Sequence, residues 1–229
     1  MSTEPTSVRT LSPGLLACLV AAPALAVVTR LVAIPISNTP IDYIPAVTAS
    51  PGRSDLGAVL ALVTAVLFIP AALAVGRLVR PRTPRLAAVG TTLFVIGAVA
   101  MAALATLTGV AGQLARHGDL SSNSALWVRI WNDSVLAKTW LALLAGAMGC
   151  IVLAVGTSQR PGVARVTAPL LGIGGALTVI TAAGPAKSLN VAAALVTVTA
   201  FALLARSDVS PAATQTTAAD GTRPAMAAS

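Results

Sequence analysis

The chain has 229 residues, of which 56% are hydrophobic and only 10% charged, against roughly a quarter charged in ordinary globular domains. A soluble domain of this length would lack the polar groups to cover its surface, so the composition excludes one. The net charge of +8 does not point to nucleic acid, because the cations sit in short segments between apolar runs and do not mark out one face.

Six apolar segments approach the roughly 20 residues that a helix needs to cross a bilayer core. They run over 14–36, 56–76, 86–112, 139–157, 167–184 and 188–205. They predict an all-α integral membrane bundle of six transmembrane helices occupying 14–206. Residues 1–13 and 207–229, rich in Ala, Thr, Ser and Pro, read as disordered flanks.

At the start of the chain, Arg9, the run Leu15–Val20 and the small residues 21–26 imitate a cleavable signal peptide. The apolar run continues well past Ala26, so the segment reads as an uncleaved first span. Arg30 is the only charge inside any span, and an ionisable group there is a candidate for function. Its bland role is to snorkel toward head groups about 9 Å beyond it. The loop 37–55 follows, with Asn38, Asp42, Tyr43 and three prolines. Ser54 and Asp55 stand where a short oxygen-bearing side chain caps a helix.

Between spans two and three lies Arg77-Leu-Val-Arg-Pro-Arg-Thr-Pro-Arg85, with Arg77, Arg80, Arg82 and Arg85. Such a basic loop sets topology and meets anionic head groups. The longest connection, between spans three and four, places Trp127 and Trp131 one helical turn apart and leads to Trp140. It reads as a short amphipathic helix at the interface, serving as an anchor or as a lid over a cavity between helices. Small-residue pairs such as Ala142 with Gly146, Ala145 with Gly149 and Gly172 with Ala176 favour close helix approach. Gly184-Pro185 makes the last connection a tight hairpin.

Orientation follows from the cations. With the N-terminus inside, nine fall on the cytoplasmic side (Arg9, Arg77, Arg80, Arg82, Arg85, Arg160, Arg165, Arg206, Arg223). Five fall outside (Arg53, Arg116, Arg129, Lys138, Lys187), together with Asp42, Asp55, Asp119 and Asp133. Both termini are therefore expected inside, in the cytoplasmic membrane of a bacterium.

The chemistry-bearing motifs are few. His117 is the single histidine, which rules out a bis-histidine haem within one chain. Gly172-Ile-Gly-Gly175 is no dinucleotide fingerprint, since position 177 is Leu. Spans two to six hold no Asp or Glu, so the usual carboxylate relay of a proton-coupled transporter is missing. Cys18 and Cys150 lie within apolar runs and match neither a metal site nor a redox pair. No cofactor, metal or nucleic acid is expected. The expected partners are the lipid bilayer and, through the small-residue faces, a second copy or another membrane protein.

The six-span layout, the Ala/Val-rich helices, the basic loop after span two and the polar tail resemble small, uncharacterised multi-pass membrane proteins common in actinobacteria. That resemblance covers roughly 10–206, rests on layout and composition, and implies no activity. Three functions stay open. The first is a structural or accessory membrane component, which requires only a filled interior. The second is a small transporter or channel, with a polar cavity near mid-membrane at a break around Pro23 or Pro70. The third is an intramembrane enzyme for a lipid or isoprenoid head group, with Arg30, Asp42 and Asp133 converging on one outer pocket.

Overall fold

The structure is a computed structural model that describes residues 11–34, 40–117, 119–132, 134–159, 164–182 and 187–219. Side chains are described within these ranges except at 134–137, 164–165, 179–182, 187 and 207–219. Eight α-helices account for nearly all of it: α1 Pro13–Val32, α2 Tyr43–Ala49, α3 Pro51–Val79, α4 Pro84–Arg116, α5 Leu120–Asn132, α6 Ser134–Ser158, α7 Ala164–Ala182 and α8 Lys187–Ala219. A single 3-10 turn, Pro40–Asp42, precedes α2, and there is no strand among the described residues.

Among the described residues, five helices are long and apolar enough to cross a membrane: α1, α3, α4, and the segments Lys138–Ser158 of α6 and Ser188–Arg206 of α8. In α7 the apolar segment is shorter, Val166–Thr178. The helix ends differ in places from the sequence expectation. α3 starts at Pro51 with proline in its first turn and no side-chain cap, a turn earlier than Ser54 and Asp55 suggested. Proline suits that turn because its missing N–H would be unpaired there anyway. α1 stops at Val32. α8 continues as helix to Ala219, although residues 207–219 include Pro211 and several Ser and Thr, which are weak helix formers.

The long helices pack as a ring. α1 packs on α3, α3 on α4, α4 on α6, α6 on α7, α7 on α8, and α8 closes back onto α1. Neighbours run antiparallel: Thr29 meets Thr64 across α1 and α3, and Gly97 meets Gly146 across α4 and α6. One end of the ring, here the base, holds the start of α1 and the turn 80–83. The other end, the cap, holds α2, α5 and the 3-10 turn, which pack on one another and on α4.

Small residues set the closest approach. A Cβ at Gly149 would lie 2.8 Å from the carbonyl oxygen of Gly90, so α6 touches α4 backbone to backbone. Gly146 and Gly149, each one half of a small-residue pair in the sequence, thus face α4. Pro23 and Pro70 lie inside α1 and α3 without breaking them.

The core divides in two. The larger cluster fills the base, from Leu19 and Ala22 on α1 through Phe68, Ala71, Val75, Phe94, Leu153, Leu171, Phe201 and Leu204. A separate small cluster forms the cap, around Tyr43, Ile44, Val47, Ala111 and Trp127.

Candidate functional site

Between these two clusters the ring is hollow. A cavity of about 670 Å3 occupies the cap half of the lumen, lined by all six ring helices. That volume sits within the roughly 300–1,000 Å3 of small-molecule sites. Its floor is aromatic: Phe68 and Phe94 meet edge to face at 5.5 Å, and Phe201 stands 6.3 Å beyond Phe94. Trp131 and Trp140 line its upper end, with their rings 6.0 Å apart.

The hollow has a side-chain cause. Ala61, Ala105, Ala193 and Ala194 project little into the lumen, while Gly57 and Gly97 take a neighbouring helix backbone and Gly174 the Thr197 side chain. On the base half the same helices present Leu and Phe set among alanines, and the larger side chains fill the lumen.

Most polar groups of the wall are already satisfied. Thr64 and Thr197 donate their hydroxyls to the carbonyls of Leu60 and Ala193, at 2.7 and 2.9 Å. Thr108 donates to Ala105 at 2.8 Å. Thr29 lies 2.8 Å from the Leu25 carbonyl and 3.1 Å from the Thr64 hydroxyl, which ties α1 to α3. A threonine that bonds back to its own helix leaves the wall little donor capacity for a guest.

Arg30 is different. It sits in the last turn of α1 and lines the cavity. Protein packs densely around it, yet the side chain stays accessible because it faces that space. Ala33 lies against Gly57 and Thr29 against Thr64, so Arg30 stands level with α3 residues near 60–63. At 1.5 Å per residue that is about 10 Å below Asp55 and about 10 Å above Phe68. Among the described residues its guanidinium has no ion pair and no hydrogen-bond acceptor, and no Asp, Glu or His lines the cavity.

The outer-side carboxylates with described side chains lie away from Arg30. Asp55 forms the ion pair with Arg116, joining α3 to α4. Asp119 stands before α5, where the Ser121 hydroxyl and then the Ser122 N–H hold its carboxyl below the usual range. Asp42 is exposed on the 3-10 turn and is not part of the cavity wall. Asp133 lies outside the described residues. Of the three side chains expected to converge, the cavity holds Arg30.

The tryptophans divide. Trp127, read as an interfacial anchor, is 1% exposed and stacks on Tyr43 with ring centroids 5.3 Å apart. It is the centre of the cap, and Trp131 and Trp140 continue the aromatic chain to the cavity. Burial pushes the Tyr43 phenol up to about 12. Two contacts that the sequence did not reveal brace this end. Arg53 donates from Nε to the Val32 carbonyl at 2.6 Å and from Nη2 to Leu31 at 3.3 Å, satisfying orphan carbonyls at the end of α1. Asn123 bridges the Leu114 and His117 carbonyls at 2.7 and 2.6 Å, fixing α5 to the end of α4.

At the base, Arg77, Arg80, Arg82 and Arg85 are all exposed. Arg82 also donates to the Gln159 carbonyl at the end of α6, at 2.6 Å.

Fold and site together define a helical protein with membrane-length apolar helices arranged around a cation-bearing cavity above a packed base. Comparison with protein-family models, curated proteins and solved structures returns no match.

Proposed function

We propose that this chain is a six-span membrane protein that admits a small ligand into its lumen from one side, as a binding or carrier protein. The base faces the cytoplasm in this reading and the cap faces out. The four exposed arginines of the 77–85 loop support that orientation, since cations favour the cytoplasmic side. α7 counts as the sixth span because it stands in the ring between α6 and α8.

The observation that carries the reading is the unequal filling of the lumen, with a packed base and a 670 Å3 cavity above it. A purely structural bundle needs no such space, and an unfilled lumen forfeits van der Waals contacts. A cavity closed at the base gives access from the cap side alone, which suits a binding site or one state of a carrier and not an open channel. Catalysis is the weaker reading, because among the described residues the wall holds no carboxylate or histidine to move a proton.

Accessibility tests the proposal. In a background with Cys18 and Cys150 replaced by Ala, Ala61→Cys and Ala194→Cys should react with a membrane-impermeant thiol reagent added from outside. Ala72→Cys, in the packed base, should not. Equal protection of all three would sink the reading. Reporter fusions after Arg82 and after Ser121 check orientation, with the first expected inside and the second outside. An outside signal at Arg82 would reverse the topology.

A further inference from the structure

We propose that the cavity takes a single-chain amphiphile with an anionic head, the head on Arg30 and the chain on the Phe68–Phe94 floor. This inference rests on the lumen being accessible, as proposed above, and adds the chemistry of the occupant.

The head group follows from the donors. The threonine hydroxyls with described bonds already donate to backbone carbonyls of their own helices. Arg30 presents five N–H donors in a planar fork and has no acceptor among the described residues. A cation on an apolar wall without a partner among the described residues is costly, and an anionic guest removes that cost with charge-assisted hydrogen bonds. A carboxylate or phosphate monoester matches the fork in two-point geometry, which a neutral or cationic head does not.

The tail follows from the wall. Level with Arg30 the wall carries Ala61, and below it the lining is Ala98, Met101 and Ala147, ending on the two phenylalanine rings. The drop from Arg30 to Phe68 is about 10 Å on helical rise. A zigzag chain of 1.52 Å carbon–carbon bonds advances about 1.25 Å per bond, so about eight carbons span it. A hydrophilic anion would leave this wall unused, and the one guanidinium on the wall serves one anionic head.

The test uses full-length protein in nanodiscs of zwitterionic phosphatidylcholine, with decanoate as the probe and the fluorescence of the tryptophans at the cavity mouth as the readout. Decanoate should bind at least tenfold more tightly than decanol, decyltrimethylammonium or acetate. This arm needs no variant, so a folding defect cannot obscure it. Arg30→Gln should weaken decanoate tenfold or more and leave decanol unchanged, while Arg30→Lys, which keeps the charge and loses the fork, should weaken decanoate by less than Arg30→Gln does. Ala61→Phe, which fills the slot, should lose decanoate and decanol alike.

Equal binding of decanoate and decanol would overturn the anionic head yet leave the accessible lumen standing. Decanoate binding that survives Ala61→Phe would place the ligand outside the cavity and overturn the proposal. Abolition of decanoate binding by a minor fraction of phosphatidylglycerol in the nanodisc would assign the site to a two-chain bilayer lipid, again overturning it. If Ala61→Cys and Ala194→Cys also fail to label, the reading beneath it falls as well.

Discussion

The two halves of the ring are built from the same six helices and the same apolar alphabet, yet one is solid and the other hollow. The base brings together Leu19, Phe68, Leu78, Phe94, Leu153, Leu171, Phe201 and Leu204, and little space remains. The cap half lines its lumen with alanines and threonines among fewer large side chains such as Leu104 and Leu143, and the lumen stays open above Phe68 and Phe94. The lesson is that in lipid, where apolar surface alone does not drive helices together, side-chain volume at facing positions decides where a bundle closes. The hollow half is then held open by polar braces. Arg53 on the end of α1, Asp55 with Arg116 between α3 and α4, and Thr29 with Thr64 across α1 and α3 all lie around it.

The largest effect should come from emptying the solid half. Phe201→Ala removes a side chain that is 1% exposed. In a membrane the transfer term largely vanishes, because the unfolded helices also sit in hydrocarbon, so the cavity term remains. At about 24 cal/mol per Å3 over roughly 100 Å3 of lost ring, the cost is about 2–3 kcal/mol. Ala194→Leu in the hollow half adds volume where space exists and should cost under about 1 kcal/mol. Thermal unfolding of the purified protein in detergent, followed by circular dichroism, gives both. If Ala194→Leu proved the more damaging, the contrast between the halves would be wrong. Next in size is Gly149→Ala. Its methyl would meet the Gly90 carbonyl oxygen and the Phe94 backbone, which should cost about 2 kcal/mol by overpacking. Gly14→Ala meets nothing within 4 Å and serves as the control.

The positions of the long apolar helices were legible because length without charge is a one-dimensional property. The segments expected at 14–36, 56–76, 86–112, 139–157, 167–184 and 188–205 each fall largely on a helix of the ring. The spacing of Trp127 and Trp131 likewise foretold α5. Which helix faces which was not legible, since helices that are apolar nearly all round carry no directional stripe. The cavity was therefore invisible, although its small wall residues and its single cation were in plain view. Arg30 stood out as the lone charge, but its neighbours depend on how loops fold back. Asp55 is claimed by Arg116 through a helix pairing that no local spacing encodes. For the same reason Trp127 read as an anchor. Its burial comes from Tyr43, more than eighty positions earlier in the chain.

The cap supplies a pH-dependent contrast with the base. The buried Tyr43 phenol has its pKa raised from 10.0 to about 12, so the folded cap holds its proton more tightly than the opened one. Its contribution is fully present below pH 10 and is lost as pH rises from 10 toward 12. At pH 11 the loss should be about 1.4 kcal/mol, one tenfold step in the opening equilibrium. Near-ultraviolet circular dichroism of the tryptophans should report it. Tyr43→Phe should abolish the dependence between pH 10 and 11, and a dependence that persisted would assign the titration to another group.

The smallest effect sharpens the picture of the solid half. Thr91 stands opposite Gly76 where α4 meets α3, and its hydroxyl oxygen is buried without a hydrogen-bond partner among the described residues. The other threonines with described bonds return theirs to the helix, as Thr157 does to the Leu153 carbonyl at 2.7 Å. A buried hydroxyl without a partner is a net cost, and valine has nearly the same shape without the polar atom. Thr91→Val should therefore stabilise the protein by about 1 kcal/mol, whereas Thr157→Val should destabilise it or leave it unchanged. The sign, more than the size, is informative. A destabilised Thr91→Val would mean that the hydroxyl is hydrogen-bonded after all, so that the base is not the dry, fully packed half that the contrast with the hollow half requires.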